Sequence, residues 1–180
     1  FYSRDRYTHR KDQNNCVFAM TEKDYNESVL LYADNVYRFI VKNLRHTEDA
    51  EDIVQSAFEK LWIHKDSVEP LKAKSYLFTV AYHLLIDHTR KAKRITLQES
   101  FENDSQTAYQ ENKALKKVLH DALATLNEMQ RSLVLLKDYE GYSYEEIGEI
   151  TKLTTDQVRV YLHRARLKLR NYLISPQQVL

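Results

Sequence analysis

Residues 144–170 read YEEIGEITKLTTDQVRVYLHRARLKLR, two helical runs separated by the short turn Leu153, Thr154 and Thr155. Either threonine can cap the second run, because a hydroxyl at that place accepts from an otherwise unpaired N–H of the first helical turn. In the second run Val158, Leu162, Ala165 and Leu169 recur at intervals of four, three and four, so they form one apolar stripe facing a core. Shifting by one residue gives Arg159, His163, Arg166 and Arg170 at the same intervals, a cationic stripe that must face outward. Two helices, a capped turn and a basic outer face make a helix-turn-helix.

A basic helix face can simply be solvated, but here it lies on the second of two helices after a short turn, which favours DNA. The major groove admits one α-helix, and its walls are phosphates. Asp156, Gln157, Arg159, Val160 and His163 stand near the helix start, where they can reach base edges. Arg164, Arg166, Lys168 and Arg170 are better placed for backbone phosphates.

Working outward, the chain has 180 residues, enough for one ordinary domain or two small ones. Two glycines and two prolines supply too little turn chemistry for a sandwich or barrel, so the expected fold is all-α. No apolar run approaches the roughly 18 residues of a spanning helix, and membrane insertion is not expected. The single cysteine, Cys16, has no internal partner, and the start carries no hydrophobic secretory block; both fit a reducing cytoplasm.

Residues 1–20 are polar and without a period, and are read as a flexible lead-in. Residues 21–94 form the first helical unit. Val29, Ala33, Val36 and Ile40 mark one helix, and Ile53, Ala57 and Leu61, beside Phe58 and Trp62, mark a second, with Thr47 as its expected N-cap. Pro70 ends that helix, and a third run over residues 75–90 leads into Arg90, Lys91, Lys93 and Arg94. Residues 95–112 are polar and aperiodic, an expected flexible linker. Residues 113–175 form the second unit, with Leu115, Leu119 and Leu126 in its first helix and Leu133 to Leu136 in its second.

The net charge of +1 hides a segregation of sign. Glu48, Asp49, Glu51, Asp52 and Glu59 lie together with no Lys or Arg between Glu48 and Glu59, whereas six basic residues lie between Lys72 and Arg94 against the lone Asp87. In that basic stretch Tyr76, Tyr82 and His83 interleave with Lys72, Lys74, Arg90, Lys91, Lys93 and Arg94. Aromatic surfaces hold unstacked bases and cations hold a separated strand, so the stretch has the composition of a single-strand site. Phe78 and Tyr82 are one helical step apart, and at least one is expected inside.

These segments carry a family resemblance. Residues 123–170, LATLNEMQRSLVLLKDYEGYSYEEIGEITKLTTDQVRVYLHRARLKLR, resemble region four of the extracytoplasmic-function sigma factors, and residues 47–62, TEDAEDIVQSAFEKLW, are similar to region two. Residues 75–94, SYLFTVAYHLLIDHTRKAKR, resemble the segment that opens and reads the minus-ten promoter element. The resemblance implies an alternative sigma factor that binds core RNA polymerase and initiates transcription at particular promoters. It implies base contacts from Arg159, Val160 and His163 and phosphate contacts from Ser143, Tyr144, Asp156 and Arg164 at the minus-thirty-five element, with docking on the polymerase β flap. It also implies a face of Asp49, Asp52, Gln55, Phe58 and Lys60 toward the β′ clamp helices, and minus-ten contacts from Tyr76 and His83 near Asp87. An anti-sigma factor as inhibitor follows from the family as well. Three residues depart from its pattern: His83 stands where Asn is common, Asn127 where Pro often begins region four, and Lys152 where Gly often makes the turn.

Two rivals remain: a stand-alone helix-turn-helix regulator that does not bind polymerase, and a helical adaptor whose basic stripes only confer solubility. No phosphate-binding glycine loop, no nucleophile elbow and no H-E-x-x-H occurs, so neither catalysis nor a cofactor is expected. His83, Asp87 and His88 lack a further ligand pair, and no metal site is assigned to them.

Overall fold

The first unit is built on helix starts that its own side chains close, and the computed structural model describes it over residues 19–96 and the second unit over residues 113–174. Helix α1 (Glu22–Leu44) opens on a reciprocal cap. The Asp24 N–H donates to the Thr21 hydroxyl at 3.2 Å, while Asp24 accepts from the Thr21 N–H at 2.9 Å. The Thr21 hydroxyl, donating to Asp24 Oδ2 at 2.7 Å, and then the Thr21 N–H hold the Asp24 carboxyl below the usual range. Met20, assigned by sequence to the lead-in, belongs to the fold: it is buried, and its N–H donates to the Lys65 carbonyl at 3.0 Å. Residues 1–18, Cys16 among them, lie outside the described residues.

Helix α2 (Thr47–Ile63) starts one residue earlier than the threonine cap implies. His46 is the N-cap, its Nδ1 accepting from the Asp49 N–H at 3.4 Å. Two short 3-10 turns, the second opened by Pro70, lead to α3 (Ala73–Thr96), which runs two residues past the expected boundary at Arg94. The three helices enclose Val36, Phe39 and Ile40 of α1, Ile53, Ala57 and Leu61 of α2, and Leu77, Phe78, Ala81 and Leu85 of α3. Each large apolar side chain so buried contributes about 1.5–3 kcal/mol.

In the second unit α4 (Lys113–Ala124) and α5 (Glu128–Val134) meet at Asn127, whose side chain accepts from the Gln130 N–H at 2.8 Å. The asparagine therefore supplies a cap where the family pattern has proline. After α5 the chain widens into a π-helical turn at Leu135–Tyr139 before α6 (Tyr144–Thr151) and α7 (Thr155–Ile174). Leu126 and Leu133 to Leu136 are buried as the periodicity implies, but Leu126 lies beyond α4 and Leu119 is exposed. All elements of the described residues are helices or turns, and none of those helices is long and apolar enough to cross a membrane.

The two units do not stand apart. Helix α6 packs on α3 and α5 on α1, and one apolar cluster runs through both. Tyr142 stacks edge-on to Phe78, with ring centroids 5.3 Å apart. Burial, and then the carboxylates Glu140 and Glu146, hold the Tyr142 phenol far above its ordinary range. Because the folded value is raised, the associated stability is whole below about pH 10 and drains as pH climbs past it. Tyr142→Phe is expected to flatten that alkaline decline, measured as melting temperature from neutral pH to about pH 11; an unchanged decline would place its cause elsewhere.

Candidate nucleic-acid and partner surfaces

The helix-turn-helix is held by two reciprocal caps. The Ser143 N–H donates to Glu146 Oε2 at 2.7 Å and the Glu146 N–H to the Ser143 hydroxyl at 3.1 Å, opening α6. At the start of α7 the Thr154 N–H donates to Gln157 Oε1 at 2.9 Å and the Gln157 N–H to the Thr154 hydroxyl at 3.3 Å. Thr154 is thus the cap. Ser143 and Gln157, both read as DNA contacts, accept from the backbone through their side-chain oxygens, which leaves the Ser143 O–H and the Gln157 side-chain NH2 as the donors that can reach a phosphate or a base.

Between the caps, Lys152 sits in the left-handed region at φ 58°, where the family pattern has glycine. That geometry costs a non-glycine residue roughly 1–2 kcal/mol. Gly148 permits the close turn: a Cβ there would lie 2.7 Å from the Leu153 carbonyl oxygen. The sequence reading missed Gly148, although a lone glycine inside a helical pattern is a sign of close packing.

Along α7, Val158, Leu162 and Ala165 are buried and Leu169 half-buried, while Arg159, Val160, His163, Arg164, Arg166, Lys168 and Arg170 are exposed. The two stripes fall where the spacing puts them. Arg159 pairs with the exposed Asp156 at 3.4 Å, and its guanidinium stands 5.6 Å from the centre of the Tyr144 ring. Arg166 is a member of the stripe with a fixed partner, Asp138, whose hydrogen bonds raise its pKa further. Asp138 lies in the π-helical turn, and nothing in the local sequence around Arg166 points to it.

On α3 the expected strand-binding residues divide. Arg90, Lys91 and Arg94 are exposed, with Asp87 3.8 Å from Arg90. Lys72 is exposed and pairs with Glu69 at 3.0 Å; Lys74 is half-buried and pairs with Glu140 of the second unit at 3.4 Å. Tyr76 is half-buried, its ring centroid 6.3 Å from that of His64, and His83 is half-buried against the edge of Tyr82. Tyr82 corrects the reading. It is 3% exposed, its hydroxyl donates to the Met129 sulfur at 3.4 Å, and burial raises its phenol pKa. In this arrangement it is an inter-unit contact and not a free base platform.

On α2, Asp52, Gln55 and Lys60 are exposed. Asp49 is half-buried between His46 Nδ1 at 3.2 Å and His88 Nε2 at 3.5 Å. Phe58 is the second correction: it is buried among the core residues, so it supports this face from below and cannot touch a partner as the helix stands. Among the described residues no group of three or more His, Cys, Asp or Glu is arranged to hold a metal ion.

Residues 29–95 match the family model described as Sigma-70 region 2, and residues 116–169 match Sigma-70, region 4. The chain is 31% identical over 158 residues to the ECF RNA polymerase sigma factor SigE of Mycolicibacterium smegmatis, covering 83% of this chain and 61% of that protein. It is 26% identical over 156 residues to the RNA polymerase sigma factor YlaC of Bacillus subtilis, covering 82% and 90% respectively. Among solved structures, sigma factor RpoE in its co-crystal structure with the anti-sigma factor NepR from Bartonella quintana superposes with a TM-score of 0.75 at 25% identity, covering 86% of this chain and 99% of that one.

Proposed function

Because this chain belongs to the extracytoplasmic-function group of the sigma-70 family, we propose that it acts as an alternative sigma factor, joining core RNA polymerase and directing it to particular promoters. The observation that carries the reading is the exposed cationic face of α7 beside its capped turn, in one chain with a second cationic run at the end of α3. Helix α7 lies in the major groove of the minus-thirty-five element, with Arg159, Val160 and His163 toward base edges and Arg164 toward phosphate. The end of α3, with Arg90, Lys91 and Arg94, follows the separated strand at the minus-ten element, Tyr76 and His83 facing its bases. The exposed α2 face of Asp52, Gln55 and Lys60, with Asp49 at its edge, meets the β′ clamp helices, and the second unit docks on the β flap. RNA synthesis is the polymerase's chemistry, and this chain contributes positioning and strand separation in the cytoplasm. The Bartonella relative is held by an anti-sigma factor, and this chain is controlled by a protein of the same kind.

Core polymerase reconstituted with this chain and supplied with genomic DNA is expected to initiate RNA from discrete sites; failure to associate with polymerase would leave a stand-alone DNA-binding regulator. Within that assay Arg159→Ala is expected to cost about 1–3 kcal/mol at one promoter position and to relax preference there. Arg164→Ala is expected to weaken binding about equally across sequences and to reduce the salt slope by about 1. Equal losses for Arg159→Ala on cognate and unrelated promoters would refute its base-reading role.

A further inference from the structure

The arginines of this chain are not all offered to solvent. At the seam between the two units Arg131 of α5 is buried, and its Nη1 donates to the Asn43 carbonyl, in the last turn of α1, at 2.8 Å. Arg166 stands on the outer cationic stripe of α7, exposed and nevertheless held. Its Nε donates to Asp138 Oδ2 at 3.2 Å and its Nη2 to Asp138 Oδ1, so one edge of the guanidinium is matched to both oxygens of one carboxylate. Asp138 comes 28 residues earlier, from the π-helical turn before α6. Leu135 and Leu136 of that turn are buried, which leaves Asp138 on its outer side, facing α7.

The same turn steers a second arginine. Lys137, whose Nζ donates to the Tyr142 carbonyl at 2.9 Å, stands 4.8 Å from the centre of the Tyr144 ring, and the Arg159 guanidinium stands 5.6 Å from that centre. Asp138, and after it the Tyr144 hydroxyl, favours the charged form of Arg166. An exposed ion pair adds little to stability, so stability does not explain an acid set into a cationic stripe. On a face meant for phosphates that acid repels the duplex and cancels one cation. Salt dependence counts the cations that displace counterions from phosphate, and a guanidinium already neutralised by a carboxylate displaces none.

We propose that Asp138 is a specificity-determining residue of the DNA-reading unit: it withholds Arg166 from the phosphate backbone and makes it a strut between the π-helical turn and α7. Its bearing on promoters rests on the sigma-factor reading, whereas the pairing itself does not. Grip on phosphate strengthens binding to every sequence alike, and promoters are selected by the ratio of specific to unrelated affinity. Withdrawing one cation and fixing the pitch of α7 both raise that ratio.

The test uses the full-length chain, alone and joined to core RNA polymerase, on a fragment carrying one of its initiation sites and on an unrelated duplex of equal length. Affinity is measured from about 50 to about 200 mM salt. Asp138→Asn is expected to free Arg166 for phosphate: the salt slope steepens by about 1, the loss of affinity across that range grows by about threefold, and promoter preference falls. Arg166→Gln is expected to keep the wild-type slope and to lose promoter preference. Adding Asp138→Asn to Arg166→Gln is expected to change the slope no further. Circular dichroism verifies the helicity of each variant.

A slope that falls by about 1 in Arg166→Gln makes Arg166 a phosphate contact already in the wild type and overturns the proposal. Steepening by Asp138→Asn that persists in the Arg166→Gln background is the general effect of one negative charge fewer, and overturns it too. Promoter preference unchanged in Arg166→Gln overturns the strut. A chain that does not join polymerase overturns the sigma-factor reading, while the slopes of the chain alone on the unrelated duplex still judge Asp138. A chain that binds no duplex in either form overturns both.

Discussion

Phe78→Ala is expected to destabilise the protein by about 3–5 kcal/mol, seen as a fall in the urea midpoint. Phe78 is fully buried, with its ring 5.5 Å from that of Phe39 and 5.3 Å from that of Tyr142. Its loss removes apolar burial and leaves a cavity between α1, α3 and the second unit, whose backbones are too well braced to close it completely. Against a total stability of about 5–15 kcal/mol for a domain, that is a large fraction. Phe78→Leu keeps most of the volume and is expected to cost less. A loss below about 1 kcal/mol for the alanine variant would mean that the seam repacks freely, contrary to a tight junction at this ring.

Gly148→Ala is expected to reverse the usual sign of its substitution. In an exposed helix interior alanine is favoured over glycine by about 1 kcal/mol. Here the added Cβ would lie 2.7 Å from the Leu153 carbonyl oxygen, a backbone atom in the turn that Lys152 already holds in the left-handed region. That turn cannot yield as a side-chain tip could. The clash either prises α6 from α7 or displaces the Thr154 cap, at a cost of about 1–3 kcal/mol. Duplex binding by α7 is expected to fall with stability, because the caps set the angle between the helices. Calorimetry of the purified variant checks the sign, and a raised melting temperature would contradict the geometry.

Several features were legible because they depend on nearest neighbours along the helix. The apolar stripe of Val158, Leu162 and Ala165 and the adjacent cationic stripe follow from 3.6 residues per turn, whatever the rest of the chain does. Thr154 was one of two possible caps, and the choice between them needed the return bond from Gln157. At α2 the reading erred because His46 is an uncommon cap, and it is its ring that accepts from the Asp49 N–H, with Thr47 the first helical residue.

Phe58 and Tyr82 could not be placed from the sequence for a different reason. Both sit on amphipathic helices at positions where a core face and a partner face adjoin, and a pattern of apolar residues does not say which neighbour covers its margin. Phe58 turned to its own unit's core, whereas Tyr82 turned to Met129, 47 residues further along the chain. Glu140 looked like an ordinary surface acid, and Arg131 like an ordinary helix arginine, because the partners they find across the seam, Asn35 and Asn43, lie 105 and 88 residues away in sequence.

Residue order by itself determined that this chain is helical, that it carries two units, and that the second presents a basic helix after a capped turn, since each of these is a short-range consequence of periodicity and local hydrogen bonding. Only the tertiary structure decided that the units close on each other and which side chains disappear into the seam. Burial is settled by contacts between distant segments, and the guanidinium of Arg131 finds the end of α1 only after both units have folded.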